Sequence, residues 1–188
     1  MNHNKKVSSL PNLLTSIRIA CIPIVFLCLN FSTRSWSLIA AVCISFAFIT
    51  DMLDGFFARR YSSITVIGKF LDPLADKVLV SVTMIMLIPM GRIPAWMVAL
   101  IILREMAITG LRGIASEKGI IIQAGKLGKY KTIFQCVALI GLCIHYKYFN
   151  VNFHVVGMFF MWIALLLTIW SGIDYFQKFR MVFKEDMK

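Results

Sequence analysis

Acidic side chains are scarce in this chain. Nine Asp and Glu stand against 20 Lys and Arg in 188 residues, a formal charge of +11. The five cysteines, Cys21, Cys28, Cys43, Cys136 and Cys143, all lie inside apolar runs with no C-x-x-C pairing. That pattern excludes a disulfide framework or a zinc site and reads as small core residues. His3, His145 and His154 have no mutual spacing that suggests metal ligation and read as terminal or interfacial. No internal repeat, low-complexity tract or linker breaks the chain, so residues 1–188 are expected to form one domain. The N-terminal stretch MNHNKKVSSLPNLLTSIRIA runs into an apolar segment without an A-x-A cleavage site, so that segment is expected to stay attached.

Apolar residues are abundant instead. A hydrophobic content of 59% and a mean hydropathy of +0.79 exceed what a soluble globule usually carries, which points to lipid as the solvent. A helix crossing a bilayer needs about 20 apolar residues. Six candidate segments stand between polar or Pro/Gly punctuation, at 13–31, 36–50, 78–90, 94–108, 133–146 and 155–173. The shorter ones are expected to continue into polar ends, the second helix through Asp51, Asp54 and Ala58, the third beginning before Asp72. The expected fold is all-α, an integral membrane protein of six transmembrane helices, with a short surface helix before the first span. Six spans put both termini on one side. Of the 20 Lys and Arg residues only Arg34, Arg92 and Lys147 fall on the other side, so the termini are expected to be cytoplasmic, in a cell inner membrane. Basic loops meeting anionic headgroups explain the charge of +11 better than nucleic acid does.

Four of the few acidic residues crowd into one window, TDMLDGFFARRYSSITVIGKFLDPLADKVLV, at 50–80. At 100° per residue, Asp51 and Asp54 lie about 60° apart on one helical face, with Gly55 and Ala58 continuing the stripe. Asp72 and Asp76 are one turn apart on the next helix, about 40° around its axis. A short connection at 60–69 lets the two helices run antiparallel and bring these faces together. Four converging carboxylates repel one another unless cations neutralise them, and oxygen-only ligands suit hard divalent ions. Two such ions can hold the attacking and leaving oxygens of a phosphoryl displacement. Gly55, Ala58 and Gly68 leave room for a ligand against the backbone, and Arg59 supplies a fork for phosphate. Two other readings compete. Asp is common at helix starts, so Asp72 ahead of Pro73 also reads as a cap. A divalent-cation transporter would explain the carboxylates, but not Gly55, Ala58, Arg59 and Gly68.

The order Asp51, Asp54-Gly55, Ala58-Arg59, Gly68, Asp72, Asp76 resembles in full the D-x-x-D-G-x-x-A-R-x(8)-G-x-x-x-D-x-x-x-D signature of the CDP-alcohol phosphotransferases. That resemblance implies a six-helix membrane bundle, usually a homodimer. It implies that Asp51, Asp54, Asp72 and Asp76 hold two divalent ions, Mg2+ or Mn2+, with Asp76 as general base. It further implies that Gly55, Ala58, Arg59 and Gly68 contact the CDP group.

Outside the signature, LPNLLTSIRIACIPI, LREMAITGLRGIASEKG and GKLGKYKT are similar to the bacterial phosphatidylglycerophosphate synthases of that family. This implies transfer of the phosphatidyl group from CDP-diacylglycerol to sn-glycerol 3-phosphate. An acceptor carrying a phosphate needs cations. Arg112, Lys126, Lys131 and Arg18 are the acceptor-phosphate candidates, with Arg112 and Lys131 at segment ends where a bundle buries them. Arg104 and Glu105 either join that set or neutralise each other. Asn12 and Thr15, with Arg18, match the family's N-terminal pattern and line the nucleotide site or cap and anchor the first helix. Cardiolipin, phosphatidylserine and phosphatidylinositol phosphate synthases share the signature and differ only in the acceptor pocket.

Overall fold

The computed structural model describes the backbone of residues 3–31, 33–61, 66–117 and 126–186, and the side chains of 16–31, 33–50, 75, 77–116 and 128–181. The chain runs α1 (His3–Asn30), α2 (Arg34–Tyr61), α3 (Val66–Leu87), α4 (Ala95–Glu117), α5 (Lys126–Ile144), β1 (Lys147–Tyr148), β2 (Val151–Asn152) and α6 (Phe153–Asp186). Each of the six apolar segments falls on one of these helices. The expected surface helix is not separate, because α1 is continuous from His3. The one breaker there, Pro11, removes a single donor without ending the helix.

Local chemistry explains the helix ends. Thr33 caps α2, its Oγ1 accepting from the Trp36 amide at 3.4 Å. Beyond α3, Gly91 adopts a left-handed φ of +66°. The Arg92 amide donates to Leu87 O at 3.1 Å and the Gly91 amide to Ile88 O at 2.9 Å, the paired bonds of a Schellman stop. That stop ends the third helix short of the expected residue 90. Asn152 caps α6, its Oδ1 accepting from the His154 amide at 3.1 Å and the Val155 amide at 3.4 Å.

The two-residue strands pair Lys147 with Asn152 and Tyr148 with Val151. Phe149 and Asn150, with φ of 48° and 63°, make the turn, the primed geometry that follows strand twist. This hairpin is the one departure from all-helical structure among the described residues.

Helix α1 packs on both α2 and α3, α2 on α5, and α4 on α6, around a core that includes Val25, Ile44, Leu79, Met97, Leu139 and Met161. The α5–α6 pair is the most extensive contact and depends on two glycines. A Cβ on Gly141 would lie 2.9 Å from Gly157 Cα, and one on Gly157 only 2.7 Å from the Leu142 amide nitrogen. Small residues here let two helix backbones touch, as membrane helices often do.

The outer faces are apolar: Leu103, Met106, Leu166 and Trp170 are all exposed. Such surface needs cover other than water. Among the described residues, 153–181 of α6 is the stretch long and apolar enough by itself to cross a membrane. The apolar parts of α1, α2 and α3, at Ser16–Asn30, Arg34–Thr50 and Lys77–Leu87, are shorter.

Candidate active site

The aspartate window occupies the last turns of α2 and the first turns of α3. On α2, Ser37, Ala40, Ile44, Ala47 and Thr50 are buried at the 3.6-residue period. Helical register continues that row to Asp51, Asp54, Gly55 and Ala58. On α3 the buried row Ala75, Leu79 and Thr83 continues backward in register to Asp76, Asp72 and Gly68. None of the four aspartates starts a helix, since α2 begins at Arg34 and α3 at Val66. The capping alternative for Asp72 is thereby overturned: it lies more than a turn inside α3. The side chains of Asp51, Asp54, Gly55, Ala58, Arg59, Gly68, Asp72 and Asp76 lie outside the described residues, and so do those of Asn12, Thr15 and Lys126. The expected meeting of the two carboxylate pairs lies outside them as well.

Immediately beyond Asp76 the described structure opens into a cleft of about 500 Å³ between α3, α4 and α5. Lys77, Arg104, Arg112, Lys129 and Lys131 line it, and Glu105 is the one carboxylate facing them among the described residues. Ser81, Thr109, Thr132 and Gln135 add neutral polar groups. Five cations against one carboxylate make the cleft a trap for a multiply charged anion.

Its interior is organised by Glu105. Arg104 NH1 donates to Glu105 Oε1 at 3.0 Å, and Lys131 Nζ from α5 forms an ion pair with the same carboxylate. Lys131 is buried, so a counter-charge within reach is what makes its charged form tolerable there. Arg104 NH2 also donates to Ser171 Oγ of α6 at 2.9 Å. Along the wall, Lys77 Nζ donates to Thr109 Oγ1 at 2.7 Å, and that hydroxyl donates to Glu105 O at 2.7 Å. The guanidinium of Arg112 stands 5.4 Å from the centre of the Tyr175 ring.

Of the expected acceptor cations, the structure brings Lys131 and Arg112 to the cleft. Lys131 is buried as the sequence led us to expect. Arg112 is not: it is exposed at the cleft's edge, in a last stretch of α4 where Gly113, Ile114 and Ser116 are exposed as well. Arg18 is fully buried on α1 and is not among the residues lining the cleft. The mutual neutralisation of Arg104 and Glu105 is present and extends to Lys131. Sequence reasoning missed Lys77, Thr109, Thr132 and Gln135. For Lys77 the signal was its place next to Asp76; the others become neighbours only through helix packing.

The family described as CDP-alcohol phosphatidyltransferase matches residues 8–170. A CDP-diacylglycerol–glycerol-3-phosphate 3-phosphatidyltransferase of Bacillus subtilis (strain 168) is 40% identical over 187 residues, covering 90% of this chain and 94% of its own. One of the same name from Rickettsia bellii (strain RML369-C) is 37% identical over 170 residues, covering 90% and 94%. A probable phosphatidylglycerophosphate synthase of Mycobacterium tuberculosis (strain ATCC 25618 / H37Rv) is 35% identical over 178 residues, covering 90% and 81%.

Proposed function

Because the chain belongs to the CDP-alcohol phosphatidyltransferase family, we propose that it transfers the phosphatidyl group of CDP-diacylglycerol to sn-glycerol 3-phosphate, giving phosphatidylglycerophosphate and CMP. The relatives above carry that activity in their names. The observation in this chain that carries the reading is the cationic cleft beginning one residue beyond Asp76. A phosphorylated acceptor needs such a cleft beside the reacting centre; serine or another acceptor without a phosphate monoester does not.

In this reading Asp51, Asp54, Asp72 and Asp76 hold two divalent ions, Mg2+ or Mn2+. The donor set fits them: four carboxylates on two successive helices, in rows that continue the buried rows of α2 and α3, offer only hard oxygen ligands. When bound, the ions supply charge neutralisation for the pyrophosphate and the transferring phosphoryl group. Gly55, Ala58, Arg59 and Gly68, with Asn12 and Thr15, hold the CDP group. Lys131 and Arg112, with Lys126, hold the acceptor's phosphate and so aim its hydroxyl. Asp76 takes the hydroxyl proton. The acceptor oxygen bonds to the phosphorus bearing the diacylglycerol, the bond from that phosphorus to the CMP oxygen breaks, and CMP leaves with the electron pair. An ordinary carboxyl near pKa 4 is a weak base toward an alcohol, so positioning carries much of the rate.

The same proposal has all six helices crossing an inner membrane, with the cleft and both termini cytoplasmic and the protein a homodimer. Charge placement supports the orientation. The three cations assigned to the outer side gather at one end of the bundle, Arg34 NH2 donating to Lys147 O at 2.9 Å while the Arg34 and Arg92 guanidinium carbons lie 5.9 and 5.6 Å from the centre of the Tyr146 ring. The cleft's five cations lie at the other end. The homodimer rests on the family resemblance. The experiment is lipid labelling: purified protein given CDP-diacylglycerol and labelled sn-glycerol 3-phosphate should pass the label into an extractable phospholipid. Label left entirely in the aqueous phase contradicts the proposal.

A further inference from the structure

The arginines of the cleft are held from behind by a helix that lines none of it among the described residues. Ser171 and Tyr175 are one turn apart on one face of α6, both buried, and both lie past residue 170, where the family match ends. Ser171 donates its own proton to Leu167 O at 2.5 Å, which leaves its lone pairs to accept from Arg104 NH2 at 2.9 Å. Gly172 makes room for the same side chain, since a Cβ there would stand 3.3 Å from Arg104 Cγ. One turn on, the Tyr175 ring carries the Arg112 guanidinium at 5.4 Å. Arg104 in turn holds Glu105, and Glu105 holds Lys131.

We propose that Ser171 and Tyr175 are positioning residues for acceptor recognition: α6 seats Arg104 and Arg112 so that the cleft's cations present one fixed arrangement to a phosphate monoester. This rests on the proposed transfer to sn-glycerol 3-phosphate. The physical case is entropic and electrostatic together. An arginine loses rotamer freedom on gripping an anion, and a side chain already seated loses less. With the ring on one side, the guanidinium can still turn N–H groups toward an oxygen. The Tyr175 hydroxyl is buried with no hydrogen-bond partner among the described residues, so the ring does the holding there.

The test is steady-state kinetics of the full-length protein in detergent, varying sn-glycerol 3-phosphate and CDP-diacylglycerol separately. Tyr175→Leu should raise the KM for glycerol 3-phosphate about fourfold, the order a guanidinium over a ring contributes at an exposed site. The KM for CDP-diacylglycerol should stay within about twofold. Tyr175→Phe should restore the wild-type KM, and Ser171→Ala should raise it about threefold, as loss of one hydrogen bond implies. If Tyr175→Leu does not fold, as judged by its melting transition, Ser171→Ala and Tyr175→Phe decide the matter. Equal rises in both KM values, a fall in kcat alone, or no change in either Ser171→Ala or Tyr175→Leu overturns the role of α6. Wild-type turnover in the same assay separates the claims: its absence overturns the proposed function too, whereas active wild type with unshifted variants overturns this inference alone.

Discussion

Lys131 on α5 is ion-paired with Glu105 on α4, and both residues line the cationic cleft. The lysine side chain is 7% exposed and the glutamate 24%, so removing the carboxylate takes a counter-charge from a cation that water barely reaches. We expect Glu105→Ala to lower stability by roughly 2–4 kcal/mol. The Asp174–Lys178 pair is also in direct contact, at 2.7 Å, but its partners are 39% and 44% exposed. Asp174→Ala should therefore cost under about 1 kcal/mol. Melting temperatures of the two variants in one detergent check the contrast, and similar losses for both would show that burial is not what sets the pair's importance.

A second buried cation lies at the far end of the bundle. Arg92 donates to Cys143 O at 2.8 Å and to Ser37 Oγ at 2.8 Å, tying the α3–α4 turn to the end of α5 and the start of α2. Arg92→Lys keeps the charge but loses the fork. It should lower stability by about 1–3 kcal/mol. Because the cleft is at the other end, its KM for glycerol 3-phosphate should not move. A shift in KM without a shift in melting temperature would contradict this division of labour.

How far the sequence carries the fold follows from which interactions are local. The six helices were readable because apolar runs and their punctuation are local features. The aspartate rows were readable because a spacing of three or four residues means one face once a helix is granted. The Glu105–Lys131 pair was not, since it joins residues whose proximity depends on how α4 and α5 pack. Likewise Arg18 and Arg112 are both cations at apolar runs, and only packing decides that the first is buried on α1 and the second exposed at the cleft. The hairpin was invisible because Phe149-Asn150 lacks the glycine that usually marks a primed turn.

Backbone contact between α5 and α6 gives a prediction of sign. Gly157→Ala places a Cβ 2.7 Å from the Leu142 amide nitrogen, closer than atoms tolerate, and should cost about 1–3 kcal/mol. Gly110→Ala in α4 meets nothing within 4 Å. Alanine is the better helix former by up to about 1 kcal/mol, so that variant should be neutral or stabilising. Thermal unfolding of both variants tests this, and a destabilised Gly110→Ala beside an unaffected Gly157→Ala would reverse the account.

The outer end should also respond to pH. Burial, the Arg92 charge and His154 together push the His145 imidazole below its usual pKa of 6.5. The unfolded chain then takes up the proton first as pH falls. Stability from this residue is complete above the ordinary histidine range and lost as pH drops through the lowered folded value. His145 has a left-handed φ of 58°, which asparagine tolerates, so His145→Asn removes the titration without straining the turn. The melting temperature of the wild type should fall more steeply than that of His145→Asn between about pH 7 and pH 5; parallel curves would assign the pH response elsewhere.

Catalysis itself is probed at Asp76. Asp76→Asn keeps the side chain's size while removing the carboxylate proposed as metal ligand and general base, and should reduce turnover by at least about 100-fold. Binding of CDP-diacylglycerol should stay detectable by equilibrium measurement. Near-normal turnover in the variant would remove Asp76 from the mechanism.

The most direct measurement is CMP release by the purified protein with CDP-diacylglycerol and magnesium, offering sn-glycerol 3-phosphate, serine, inositol phosphate and phosphatidylglycerol in parallel, each with an EDTA control. The account predicts release with glycerol 3-phosphate alone, abolished by EDTA. Release driven by another acceptor, or no release with any of them, would contradict it.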